Sequence, residues 1–269
     1  MSALAGVVDT YDVTAKHYDA AYAKLGGGKF ADPAFYVGLA KESGGPVLEI
    51  GCGTGRVLLL IAREGIEIEG VDNARPMLAV LRQKLKAESR QVQARVKLHQ
   101  GDMRSFQLTR KFPLVIIPFR PMQHMYTLED QLSALKTAAA HLAKGGRLAF
   151  DVFFPLLAMI PAGVGEEIQD VEWHLDDNPS KIVRRYFRKD SYDKIAQNFS
   201  GTFLYRTFYD EKLVKEEAEP LKMSYYTCPQ MQALFAMAGL EIVEQYGSFK
   251  KAPLDNDATD MVFVLKRTV

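Results

Sequence analysis

Cysteine is nearly absent: Cys52 and Cys228 are the only two in 269 residues. They lie far apart, with no C-x-x-C pair and no Cys/His cluster, which excludes a disulfide framework and a zinc site. A reducing, cytoplasmic compartment is expected. Charge of one sign is lacking as well. The 34 Lys+Arg against 33 Asp+Glu leave a formal net charge of +1, whereas proteins that coat nucleic acid or anionic membranes carry a strong positive field. Nucleic acid and membrane are therefore not expected as main partners. No apolar run reaches the roughly 18 residues of a membrane span, and the first residues show no positive segment followed by an apolar one. Carboxylates and histidines nowhere fall at ligand spacing, so no metal is expected.

What is present is an ordinary globular composition, 48% apolar and 25% charged with 20 Gly and 12 Pro. At roughly 150 residues per domain the length allows one large domain or two, and a core that needs no staples. Residues 1–45 are polar and aromatic, with Tyr11, Tyr18 and Tyr22 before a Gly26-Gly27-Gly28 turn, and are expected to form a cap of short helices. From Pro46 strand and helix signals alternate: strands at 47–50, 66–71, 96–99, 114–117 and 147–154, helices at 57–63, 74–88 and 128–142, the last stopped by Lys144-Gly145-Gly146. Alternation of this kind implies a parallel sheet covered on both faces. Over 155–226 the helical period fades, and aromatic and branched residues at 182–187 and 203–209 predict an antiparallel insertion. A helix after Cys228-Pro229 and strands at 241–246 and 261–266 return the chain to the core. The expected division is a cap over 1–45, a core from 46–154 and 227–269, and a β-rich lid over 155–226.

The informative segment is Val47-Leu48-Glu49-Ile50-Gly51-Cys52-Gly53-Thr54-Gly55-Arg56, a buried strand running into a glycine turn that opens a helix. Glycine lacks a Cβ, so the chain can turn tightly and a ligand can lie against it, while the helix start offers unpaired N–H groups. The same turn could serve only to join strand to helix. A nicotinamide-binding loop spaces its glycines G-x-G-x-x-G; here the third, Gly55, comes one residue early. Asp72 closes the second strand 21 residues after Gly51, where an acid faces a nucleoside ribose or simply caps the next helix. Gln100-Gly101-Asp102-Met103 follows the third strand.

The E-x-G-x-G-x-G loop, Asp72 and the Asp102-Met103 pair, in that order at successive strand ends, resemble the motifs of class I S-adenosylmethionine-dependent methyltransferases acting on small molecules. The resemblance implies a Rossmann-like fold, with a mostly parallel seven-stranded sheet whose last strand is antiparallel, and S-adenosylmethionine as cofactor. It implies that Gly51, Cys52, Gly53 and Gly55 line the methionine portion and that Glu49 holds the loop or the amino group. Asp72 would take the ribose hydroxyls, Asn73 and Met77 the adenine face, Asp102 and Met103 the adenine edge. Tyr18, on an N-terminal helix, and Phe119 would close over the cofactor; packing of a surface helix accounts equally for the tyrosines.

The acceptor side is less legible. Pro118-Phe119-Arg120 departs from the Asp/Asn-Pro-Pro-Tyr/Phe segment of enzymes that methylate DNA bases, and the paired-glutamate loop of protein arginine methyltransferases is missing. An imidazole can take a proton near neutrality, which makes His124 a candidate base, and Arg120 is a candidate to orient an acidic group; each could instead be structural. Lys181, Arg184, Arg185, Arg188 and Lys189 could dock RNA or protein, but read better as a solvated edge strand that resists aggregation. The expected activity is methyl transfer to a nitrogen or oxygen of a small molecule. The alternatives are an RNA or protein methyltransferase and a non-catalytic cofactor-binding module. Oligomeric state stays open.

Overall fold

The computed structural model describes residues 11–25, 30–155, 163–175 and 178–268; the Gly26-Gly27-Gly28 turn lies outside them. The chain divides into two compact units, one of Ala31–Pro155 with Tyr225–Val269, the other of Met1–Phe30 with Leu156–Ser224. No helix among the described residues is long and apolar enough to cross a membrane.

The larger unit opens with helix α2 (Asp32–Ser43), α1 belonging to the other unit. Strands β1 (Val47–Ile50), β2 (Ile68–Asp72), β3 (Val96–Gln100), β4 (Phe112–Ile117) and β5 (Leu142–Phe153) then alternate with α3 (Leu58–Arg63), α4 (Arg75–Lys86), the short α5 (Arg90–Ala94) and α6 (Leu128–Ala140). After the insertion come α7 (Cys228–Met237), β10 (Leu240–Tyr246) and β11 (Asp260–Arg267). The seven strands lie in the order β10-β11-β5-β4-β1-β2-β3, with β1 parallel to β2 and β4 and only β11 antiparallel to its neighbours β5 and β10. This is the expected Rossmann-like fold.

Its two core layers follow from strand period. Along β4, Leu114 and Ile116 face the layer of α2, in one cluster with Leu39 and Leu58, while Val115 and Ile117 pack with Phe150 and Phe235 on the other face, because successive Cβ atoms point to opposite faces. Strand order reverses between β1 and β4, which opens a crevice at their carboxyl ends. Two boundaries shift from expectation. Helix α6 ends at Ala140, and Lys144-Gly145-Gly146 forms the bulged start of β5; Gly146 is needed there because a Cβ would lie 2.9 Å from the Phe112 carbonyl. The expected cap over 1–45 is divided, since α2 buries Phe35, Tyr36, Leu39 and Ala40 in the core of the larger unit.

The smaller unit pairs α1 (Thr14–Lys24) with an antiparallel sheet of β6 (Glu167–Leu175), β7 (Asn178–Asp193), β8 (Asn198–Tyr209) and β9 (Lys212–Ser224), hydrogen-bonded in that order. Ala21 of α1 packs with Val171, Trp173, Val183 and Tyr205, and Glu219 accepts a hydrogen bond from the Thr14 N–H. The two inner strands are those visible in the sequence; β6 and β9 are too polar to be seen there. The basic stretch on β7 is thus not an edge. Register sets Arg184 opposite Glu172 and Arg206 opposite Glu216, with N···O distances of 3.2 and 2.6 Å. Arg185 pairs with Asp170 at 2.8 Å and Arg188 with Asp190 at 2.7 Å. Cross-strand pairs of opposite charge stabilise a sheet, and arginines so engaged do not form the open cationic surface that RNA docking requires.

Candidate functional site

The carboxyl ends of β1, β2, β3 and β4 bring the four sequence motifs to one edge of the larger unit's sheet. After β1 the chain turns through Gly51, Gly53 and Gly55, all with positive φ (73°, 52° and 81°). The turn is fastened to β2 by Gly51 and Cys52 N–H groups donating to the Val71 carbonyl at 2.8 and 3.1 Å. The three glycines do different things. A Cβ on Gly51 would meet Pro121 at 2.6 Å and one on Gly55 would meet Leu81 at 2.3 Å, whereas a Cβ on Gly53 would have nothing within 4 Å. Gly51 and Gly55 allow close packing; Gly53 leaves the backbone bare toward open space.

Two acids frame the turn. The Asp72 carboxylate accepts the Gly53 N–H through Oδ2 (2.7 Å) and the Ala74 N–H, just ahead of α4, through Oδ1 (2.8 Å), so it fixes the turn into the helix and clamps the loop at once. Burial raises its pKa, against those amides and against nearby His124, which lower it. Glu49 is 3% exposed, and its Oε2 has no hydrogen-bond partner among the described residues. Burial pushes its carboxyl well above the ordinary range despite the opposing pull of Arg56. A buried carboxyl oxygen without a partner is costly, and here it sits at the root of the glycine turn.

The remaining expected residues divide. Asn73 is exposed at the end of β2, and Met77 is buried on α4. Asp102 lies past β3 with its carboxylate gripped by Arg104 at 2.5–3.1 Å, which holds its pKa below the usual range. Met103 is packed against the core. Cys52 turns its thiol into the core, 2.9 Å from where a Cβ on Gly70 would lie, and burial pushes the thiol pKa well up; only its backbone belongs to the turn. Tyr18 is on α1, in the other unit, with its ring 4.4 Å from that of Tyr22.

Beyond β4, Phe119 and Arg120 are both left-handed (φ 64° and 74°), and Pro121–His124 forms a single 3₁₀ turn. Arg120 donates to Asp260 at 3.0 Å, and half-buried His124 has Nδ1 3.4 Å from the Tyr126 hydroxyl. Four residues that sequence reasoning missed surround this turn. Arg56 stacks 4.3 Å over the Phe119 ring and pairs with Asp32, itself 1% exposed. Asp151 accepts from the Phe119 N–H at 2.8 Å and the Tyr36 hydroxyl at 2.6 Å. The available signal was Asp151 itself, one acid inside the apolar run Leu148-Ala149-Phe150-Asp151-Val152-Phe153.

Chemically, the edge offers a bare backbone turn, an acid behind it, a carboxylate at the next strand and an imidazole within electrostatic reach. Residues 47–146 match the protein family described as "Methyltransferase domain". Among relatives, the cypemycin N-terminal methyltransferase of a Streptomyces species is 25% identical over 224 residues, 83% of this chain and 84% of that protein. The dTDP-3-amino-3,4,6-trideoxy-alpha-D-glucopyranose N,N-dimethyltransferase of Streptomyces venezuelae is 34% identical over 100 residues, 37% of this chain and 39% of that one. In fold, the CcbJ methyltransferase of Streptomyces caelestis superposes with a TM-score of 0.77 at 22% identity, covering 98% of this chain and 100% of that chain.

Proposed function

We propose that the chain is a class I S-adenosylmethionine-dependent methyltransferase of the small-molecule type, and that its acceptor is an amine nitrogen. Support for a nitrogen comes from the two relatives just described, whose names specify a peptide N-terminus and an amino sugar. The observation that carries the site is the pairing of bare Gly53 with the unpartnered Oε2 of Glu49. S-adenosylmethionine, when bound, supplies a methyl group already activated on a sulfonium and an ammonium on its methionine end. Glu49 would accept from that ammonium, and Gly51, Gly53 and Gly55 would line the methionine portion. Asp72, whose oxygens each keep a second lone pair, would accept from the ribose hydroxyls; Asn73 and Met77 would lie against adenine, and Met103 at its edge. Asp102 fits its expected role less simply, because Arg104 already occupies its carboxylate.

An amine acceptor is protonated near neutrality and must lose a proton before it attacks. His124 is the candidate to take that proton, and Arg120 with Phe119 to shape the entrance. Alignment and exclusion of water supply the remaining catalysis. A cytoplasmic location accords with two free cysteines.

The test pairs an amino sugar nucleotide and a short peptide with hydroxyl-bearing counterparts, following S-adenosylhomocysteine release and product mass. Methylation confined to amine acceptors supports the reading. Transfer only to the hydroxyl compounds overturns it.

A further inference from the structure

Asp151 is 1% exposed, between Phe150 and Val152 in the middle of the sheet. Its Oδ1 takes two hydrogen bonds, from the Phe119 N–H and the Tyr36 hydroxyl, while Oδ2 has no partner among the described residues. Burial lifts its pKa to about 6 in spite of those donors and of Arg120, with Asp32 adding to the rise. An apolar residue would fill this strand position at less cost, so the carboxylate calls for a reason beyond packing.

The reason lies in what Phe119 does. Two successive left-handed residues without a glycine are strained and persist only where surroundings force them. Here they turn the chain after β4 so that Pro121 lies against the Cα of Gly51, 2.6 Å from where a Cβ would be, and the Phe119 ring lies under Arg56 at 4.3 Å. Gly51 and Arg56 are the two ends of the glycine turn. The β4 turn thus braces the glycine turn at both ends, and the Asp151 hydrogen bond is what holds the Phe119 backbone in place.

We propose that Asp151 is a positioning residue for cofactor binding: it touches no ligand, but pins the turn after β4, which in turn holds the glycine loop in its binding shape. The inference rests on the assignment of the glycine loop to S-adenosylmethionine. It assigns to a buried acid near the carboxyl end of β5, two strands away, an effect on affinity at β1.

Affinity for S-adenosylhomocysteine, measured by calorimetry on the full chain, and thermal stability without ligand separate this role from a structural one. Asp151→Ala strips the acceptor from the Phe119 N–H and should weaken binding at least about tenfold, while Asp151→Asn, which keeps an acceptor oxygen, stays within about threefold of wild type. Pro121→Ala removes the brace without disturbing the buried acid, and should weaken binding at least about threefold with little change in melting temperature; it serves also if Asp151→Ala does not fold. Unchanged affinity in Pro121→Ala, a lower melting temperature with unchanged affinity in Asp151→Ala, or Asp151→Asn binding as poorly as Asp151→Ala would each overturn the proposal. Absence of binding by the wild-type protein would instead overturn the cofactor assignment on which it rests.

Discussion

The two sheets treat charge in opposite ways. In the inserted sheet, half-buried arginines on β7 and β8 stand opposite exposed glutamates on β6 and β9 and pair with them. In the core sheet, Glu49 and Asp151 are buried among apolar neighbours, each with an oxygen that no described residue meets. Pairs of the first kind contribute little stability individually and set strand register. Groups of the second kind destabilise the fold, so their presence at strand ends around a bare glycine turn marks where the molecule gives up stability for binding. The pKa directions repeat the contrast: burial drives Glu49 and Asp151 up, while Glu217 on β9, although burial opposes it, is drawn down to about 2 by Lys215, Lys16 and His17.

The sharpest test of this contrast lies within the glycine turn. Gly55→Ala, with a positive φ and a Cβ driven into Leu81, should cost about 3 kcal/mol of stability from strain and overpacking, and binding with it. Gly53→Ala has room for its Cβ and should cost only about 1 kcal/mol from its left-handed backbone, yet lose S-adenosylhomocysteine affinity at least about tenfold because the bare surface is gone. Chemical denaturation together with calorimetry reads both; equal loss of stability in the two variants would mean that the space above Gly53 has no special use.

Asp72→Ala should come next. Loss of hydrogen bonds to a charged group weakens the cofactor by about 1.5–3 kcal/mol, and loss of the bonds to the Gly53 and Ala74 N–H groups costs about 1 kcal/mol or more of stability. The geometry therefore predicts that the variant is both weaker in binding and less stable. Unchanged affinity with reduced stability would leave Asp72 with a structural role only.

The pH dependence of stability should run in opposite directions in the two units. Asp151, lifted to about 6, stabilises the fold most when protonated; its contribution is present below the ordinary carboxylate range and lost as pH rises through about 6. Glu217, drawn down to about 2, contributes above the ordinary glutamate range and loses that contribution as pH falls through about 2. Relative to wild type, Asp151→Asn should therefore gain in melting temperature between about pH 4 and 7, and Glu217→Gln should lose above about pH 5. Parallel pH curves for both variants and wild type would break the contrast.

The smallest effect is expected on the inserted sheet's surface. Arg184→Ala should change stability by no more than about 0.5–1 kcal/mol, as for exposed pairs, and leave cofactor affinity alone. Salt-sensitive retention of RNA by the wild-type protein that this variant abolished would revive the docking reading of the basic strand.

The amino-acid sequence by itself determined the architecture of the core and the location of the cofactor edge. Period-two and period-3.6 apolar patterns reflect burial directly, and the spacing of Gly51, Gly53, Gly55 and Asp72 is local, set by one strand, one turn and one helix start. It was silent on everything that depends on distant segments meeting. Polar β6 and β9 are strands because β7 and β8 pair with them, not because of their own composition. Cys52 turns inward because Gly70, on the neighbouring strand, leaves room for its sulfur. Asp32 and Tyr36 come from α2, Arg56 from the glycine turn and Asp151 from β5, and only the packing of α2 and β5 around the β4 turn gives them one environment. Burial and hydrogen-bond partners are properties of that assembly, so which acids are paired and which are left wanting a ligand was decided by the tertiary structure alone.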